Sequence, residues 1–159
     1  MGKRTNSGLS AAGARSAGAR ASAGLAALWC EKLGELATGC AAAFIEDEAD
    51  RVWTLRDLLA RAPEPALVVG LQVPPRDRFE NLIEAGACAA AVMAMIDGAA
   101  GYLLSRGSAG LHAASIYLPD AMEEVTAVGD SAALALVGAI AQALVDRHAS
   151  REPAPLHLN

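Results

Sequence analysis

Large side chains and reactive groups are scarce in this sequence of 159 residues. It contains two Trp, two Tyr and two Phe. Its three cysteines, Cys30, Cys40 and Cys88, are irregularly spaced and include no CxxC pair. An odd number of cysteines at such spacings argues against a disulfide framework, and the absence of paired ligands argues against structural zinc. We therefore expect buried free thiols in a reducing cytoplasm.

Recognisable catalytic motifs are missing as well. The sequence has no serine nucleophile elbow, no HExxH, no GxGxxG and no phosphate loop ending in Gly-Lys-Ser/Thr. The acidic residues 46–50 lack the glycine and the terminal Glu of a calcium loop. We predict no cofactor and no metal site, and a non-catalytic role is favoured over an enzyme.

Basic charge is missing from most of the chain. The formal net charge is −5, but residues 1–30 carry four bases and no acid, whereas residues 31–159 carry nine bases and eighteen acids. Binding to a polyanion requires clustered Lys and Arg, so nucleic acid is not expected as a partner of the body. It remains an alternative through the basic N-terminal tail. No uncharged run reaches the roughly 20 residues that a bilayer span needs, so we expect no membrane association and a cytoplasmic location.

Alanine supplies much of the apolar content of the sequence, with 38 of its 159 residues. A core can form, but a large part of it must be close-packed alanine rather than large side chains. The many alanines, and the preference for arginine over lysine, are typical of proteins from GC-rich bacterial genomes.

The chain length predicts a single domain between two tails. Residues 1–24, rich in Ala, Gly, Ser and Arg, are predicted to be a disordered tail, and 150–159 a flexible one. An organelle transit peptide, or a true start codon downstream of this stretch, is the alternative for 1–24. The domain covers 25–149. Within it, 66–149 forms the core, and the helical segment 25–62 is either a cover on that core or a protruding arm.

Periodicity and turn residues predict an α+β fold. A small three-stranded antiparallel sheet is expected to pack against two main helices in the order α-β-β-β-α over 76–147. Asp130 or Ser131 is the expected N-cap of the last helix. The predicted helices are 25–45, 54–62, 76–96 and 131–147; the predicted strands are 66–73 (or an extended connector), 102–106, 111–118 and 122–128.

The order over 76–147 is similar in topology to double-stranded-RNA-binding domains. In that family a basic start to the last helix contacts phosphates. Here the corresponding stretch has no Lys or Arg before Arg147. The resemblance therefore implies the order of elements and not RNA binding.

The connection between the first two strands of this sheet is the candidate ligand site. Its glycines let backbone amides point inward, and Arg106 with Ser105 and Ser108 is suited to an anion. His112 follows on the next strand. His112 and Ser115 should lie on opposite faces, which excludes a Ser–His catalytic pair. An ordinary hairpin turn is the competing interpretation.

A second candidate site is an interface on the 76–96 helix. No polar residue occurs between Ala85 and Ile96, and a helix that is apolar on all sides is buried or lies at an interface. The predicted interface residues are Val92, Met93, Met95 and Ile96. The favoured function is a small interaction or assembly module that self-associates as a homodimer or binds another protein. A small-ligand or anion-binding protein or enzyme using Ser105–His112 is the alternative.

Overall fold

The computed structural model describes residues 9–151 and confirms the α+β fold. The sheet contains β1 (Gly101–Arg106), β2 (His112–Tyr117) and β3 (Val125–Gly129), all antiparallel and in that spatial order. Short 3₁₀ turns lie at Ile45–Asp47 and Pro65–Val68. The helices are α1 (Leu9–Ala42), α2 (Glu48–Ala60), α3 (Arg76–Glu84), α4 (Cys88–Met93) and α5 (Ala132–Arg151).

Helix α5 is the centre of the molecule, because every side chain from Ala133 to Ala141 is buried. It packs on β2 and β3, and on its other sides it contacts α1, α2 and α4. The Ser131 hydroxyl accepts a hydrogen bond from the Leu134 amide at 3.1 Å, so Ser131 is the N-cap. The Asp130 carboxylate instead accepts from the Ile45 amide at 3.0 Å and fastens the end of α1 to the start of α5.

Small residues allow these elements to approach closely. A Cβ atom added at Gly138 would lie 3.3 Å from the Ala127 Cβ and 3.6 Å from the Cys40 Cβ. At Gly129 it would lie 2.8 Å from the Ala135 nitrogen. The expected alanine-rich core therefore exists, and its tightest point is where β3 meets α5.

Residues 25–62 form a cover on the core rather than an arm. Trp29 of α1 and Val52 of α2 belong to the same buried cluster as Leu144 of α5. The Trp29 indole also donates to the Leu58 carbonyl at 2.8 Å, which ties α1 to α2.

The predicted N-terminal tail differs from the structure. Helix α1 begins at Leu9, so residues 9–24 are helical, although side chains 16–21 are exposed. Alanine has the highest helix propensity, and its repeated occurrence outweighs the glycines between. Residues 1–8 and 152–159 lie outside the described part of the chain, and α5 extends two residues past the predicted start of the C-terminal tail.

The predicted 76–96 helix is two helices. Gly86 adopts a left-handed φ of 71°, which ends α3. The Ala87 amide donates to the Leu82 carbonyl at 2.8 Å, and the Gly86 amide donates to that of Ile83 at 2.9 Å. These two bonds are the Schellman motif that closes a helix C-terminus.

Of the two alternatives for residues 66–73, a strand or an extended connector, the strand is wrong. Its first half is the 3₁₀ turn Pro65–Val68, and Gly70 has a φ of 91°, which a regular strand does not allow. Only Leu71 pairs in extended fashion, as an isolated antiparallel bridge to Ile96. The segment is therefore a connector that passes beside the end of α4.

The helices that back the sheet differ from the expectation. We expected 76–96 and the last helix to cover it, but α5 and α1 take those positions, and α4 packs against α5 and α2. The break at Gly86 redirects the second half of the 76–96 segment onto the helical layer.

Candidate functional site

The β1–β2 connection is a closed hairpin. The Gly107 amide donates to the Leu111 carbonyl at 2.9 Å, and the Gly110 amide donates to that of Gly107 at 3.1 Å. Gly110 supplies the positive φ, 88°, that the turn requires. The glycine amides on which an anion site would depend are therefore already bonded within the turn.

The predicted ligand residues of this hairpin do not converge on a cavity. Arg106 and His112 are paired neighbours in the β1–β2 register, whereas Ser108 lies exposed in the turn. Within residues 9–151, the Arg106 side chain makes no hydrogen bond or ion pair, and the buried His112 Nδ1 has no partner. Ser115 lies on the other face of β2, where its hydroxyl and that of Thr126 are 2.7 Å apart. Ligand binding by Ser105, Arg106, Ser108 and His112 stays a prediction.

Cys40 and Cys88 form no disulfide, and neither thiol is reactive at neutral pH. Burial raises the pKa of both Cys40 and Cys88 to about 11, and the neighbouring Glu48 carboxylate adds to the effect at Cys88. Because the thiolate is the nucleophile and the metal ligand, both groups are poor candidates for either role at neutral pH. Among the residues the structure describes, no three His, Cys, Asp or Glu side chains are grouped to hold a metal ion.

The predicted interface on α4 is corrected by the structure. Val92 and Met95 are 0% exposed, and Met93 and Ile96 are half-buried against the same core. The apolar sides of this segment are covered by α5 and α2 of the same chain. Val92 and Met95 are therefore not available to a second copy.

Strand β1 is the apolar element that the core leaves uncovered. Among the described elements, β2 alone makes extensive contact with β1, since α5 backs β2 and β3. Leu103 on the outer face is 65% exposed, and Tyr102 on the inner face is 47% exposed. The Tyr102 hydroxyl donates to the Met93 sulfur at 3.2 Å, and Leu104 touches the edge of the core. Residues 101–105 carry no charge and no proline.

The outer face of the whole sheet is open in the same way. Cross-strand partners share a face in an antiparallel sheet, so Leu103, Ser115 and Thr126 form one row across it. Tyr117 and Val128 are also about half exposed there. The Ser115–Thr126 hydroxyl pair satisfies itself, and no charged side chain lies on this face between the strand ends.

A cavity of about 840 Å³ lies next to the C-terminal end of β2, at the opposite end of that strand from the β1–β2 hairpin. Its lining includes apolar side chains in and next to β2 and in α5, among them Ile116, Leu118 and Ala143. Four carboxylates and two guanidinium groups also line it: Asp120, Glu123, Glu124, Asp146, Arg147 and Arg151. No residue of the predicted Ser105–His112 site lines this cavity.

Arg147 is committed to the protein itself. Its guanidinium donates to the carbonyls of Leu67 at 3.0 Å and Val69 at 2.8 Å, and also to that of Pro119. Burial and the neighbouring Arg151 lower the pKa of Arg147, while Asp120 raises it. The cavity carries more negative than positive charge, and the donors of the Arg147 guanidinium are engaged by these carbonyls rather than offered to a ligand.

One described helix, α5, has the length and apolar composition of a membrane span. In the structure 61% of its apolar window is buried. The core helix of a soluble fold has the same properties, and the packing of α5 on the sheet accounts for its composition.

Comparisons of this chain with protein-family models, with curated proteins and with solved structures find no match.

Proposed function

We propose that this protein is a non-catalytic module that self-associates through its uncovered sheet. The observation that carries the proposal is β1, an apolar strand that the protein's own core does not cover. Natural proteins protect such edges with charged residues, proline, bulges or a covering element. Residues 101–105 have neither charge nor proline, and no helix within residues 9–151 packs extensively on them.

Electrostatics favours a second copy at this surface. The chain has a net charge of −5, so most faces of two copies repel one another. An uncharged strand and an uncharged sheet face can meet their own counterparts without that cost. Burying Tyr102 and Leu103 removes apolar area from water, at about 25 cal/mol per Å².

Light scattering coupled to size exclusion tests the proposal. The chain mass is 16.2 kDa, and we expect twice that mass at tens of micromolar, falling toward the monomer on dilution. Raising the salt concentration should not dissociate the dimer, because no ion pair is needed to hold it. A monomeric mass at every concentration would refute self-association.

The cavity supports a second candidate function, binding of a small organic cation with an apolar body. Its volume lies within the range of ligand sites. Its lining includes apolar side chains, and its four carboxylates outnumber its two guanidinium groups. This differs from the predicted anion site at the hairpin both in place and in the sign of the ligand's charge.

Benzyltrimethylammonium is a suitable probe for the cavity. We expect it to shift the backbone amide resonances of Val125 and Thr126, and benzoate, of opposite charge, to leave them unchanged. Replacing Glu123 and Glu124 with Gln should weaken the effect severalfold, whereas Glu31→Gln, on α1, should not. Equal shifts with both probes would contradict the charge argument.

Two other expectations remain predictions. Nucleic-acid binding through the basic N-terminal tail depends on four bases, of which Lys3 and Arg4 lie outside the described part of the chain. Arg20, which lies inside it, bonds Ser16 of the same helix. A cytoplasmic location rests on composition alone.

A further inference from the structure

The geometry of β1 points to a specific mode of association: we propose that β1 pairs antiparallel with β1 of a second copy, with Leu103 at the two-fold axis. This inference rests on the proposed self-association and names the surface and its register. β1 is a terminal strand of the sheet, bonded to β2 on one side and to no described strand on the other. Pairing would turn two three-stranded sheets into one of six strands.

The symmetry of such a pair restricts its register. In a two-fold antiparallel pair, facing residues must lie on the same face of the continuous sheet. An odd-numbered residue of β1 must therefore face an odd-numbered residue of its copy. Centring the pair on the uncharged segment 101–105 places Leu103 opposite Leu103, and Tyr102 opposite Leu104.

This register assembles the side chains that one chain leaves exposed. On the inner face, Tyr102 and Leu104 of both copies would form an apolar cluster beside the existing core, where Leu104 already packs. On the outer face the two Leu103 side chains would cover one another. The Tyr102 hydroxyl keeps its bond to Met93, so the pairing leaves no hydroxyl of this cluster unsatisfied.

The charges at the strand ends also fit this register. Arg106 ends β1, and six residue steps along the strands separate it from Arg106 of the copy. At about 3.4 Å per residue the two guanidinium groups lie roughly 20 Å apart, beyond the screening length of about 8 Å at physiological salt. The only charged residue of β1 therefore does not oppose the pairing.

The opposite edge does not offer the same site. β3 lies beside α1 and ends at the tight contact of Gly129 with α5.

The proposed β1 contact is small. It pairs six residues from each copy over four apolar side chains, which places it at the small end of stable interfaces. We therefore expect a dimer that dissociates in the micromolar range and not a permanent one.

Two lysine variants separate edge pairing from stacking of the open faces. Leu103→Lys and Val128→Lys both add a charge to the outer face at positions 65% and 52% exposed, so neither should unfold the chain, which circular dichroism checks. Edge pairing predicts that Leu103→Lys weakens dimerisation at least tenfold by light scattering, because two charges meet at the axis. Val128→Lys, two strands away, should leave it within about twofold. Loss of the dimer in Val128→Lys would instead indicate face stacking and overturn the edge pairing.

A cysteine variant tests the register directly. Facing residues of antiparallel strands have Cα atoms about 4.5–5.5 Å apart, within reach of a disulfide. Mild diamide oxidation of Leu103→Cys should give a covalent dimer on a non-reducing gel, whereas wild type and Val128→Cys should remain monomeric there. If wild type is dimeric in solution but Leu103→Cys does not cross-link and Leu103→Lys still dimerises, the proposed function stands and the β1 pairing is wrong. If wild type is monomeric, both are wrong.

Discussion

Strands β1 and β3 flank the same central strand, yet they lie in opposite environments. The inner face of β3 packs against α5 and α1, and its last residue, Gly129, leaves no room for a Cβ atom, although Val128 on its outer face is half exposed. β1 has Leu103 largely in solvent and Tyr102 half exposed. Alanine and glycine let the first side close on itself, whereas larger apolar side chains remain free on the second. The exposed apolar side chains of β1 are the reason why we propose this strand as the site of self-association.

Matched leucine substitutions should give the largest difference between the two sides. Leu136 in α5 is fully buried, so Leu136→Ala should lower the free energy of unfolding by about 2–5 kcal/mol. Leu103→Ala should change it by no more than about 0.5 kcal/mol. Urea unfolding at a concentration where the protein is monomeric measures both. Equal losses would mean that β1 is part of the core and would remove the contrast.

Two glycines provide a sharper comparison of packing. A Cβ at Gly129 would clash with the Ala135 nitrogen and with Leu134, so Gly129→Ala should cost about 1–3 kcal/mol of unfolding free energy. At Gly101, on β1, the nearest atom would be the Tyr117 Cβ at 3.9 Å, an ordinary contact. Gly101→Ala should therefore be close to neutral. Thermal unfolding of the two variants compares them, and a neutral Gly129→Ala would show that β3 and α5 separate easily.

Two serines test the smallest effect. Ser131→Ala removes the hydroxyl that caps α5 and should cost about 1 kcal/mol. Ser105 lies exposed on β1, so Ser105→Ala should stay within about 0.5 kcal/mol. The midpoints of urea unfolding of both variants measure these two losses of stability. A loss at Ser105 as large as that at Ser131 would assign the hairpin a structural role that its geometry does not show.

Local signals predicted the sheet and its flanking helix well. Gly107–Gly110 and Pro119-Asp120 separate three short strands, and Ser131 caps the helix that follows, as turn and capping residues indicate. Gly86 escaped notice because it falls on the apolar stripe of the 76–96 segment, and periodicity does not reveal a left-handed φ. Gly70 likewise has a left-handed φ that the apolar pattern of residues 66–73 does not reveal, and this φ interrupts the predicted strand.

The candidate site could not be located from the sequence because burial is a tertiary property. Residues 85–96 contain no polar residue and 132–145 contain only Gln142, and the two segments pack against each other within the chain. An uncharged segment therefore indicates that its side chains must be buried, but it does not indicate whether the same chain or a partner buries them. The apolar residues of β1 resemble those of a core strand, and only the position of α5 over β2 and β3 shows that they are left out.

The Arg147 clamp has a consequence for the order in which the chain folds. It joins the carbonyls of Leu67, Val69 and Pro119 to a residue near the end of the last helix. Each bond closes a loop of dozens of residues, so we expect the bonds to form late in folding. Interactions that form late contribute little to the folding rate and mainly slow unfolding. We therefore expect the clamp to lengthen the lifetime of the native state without assisting its formation.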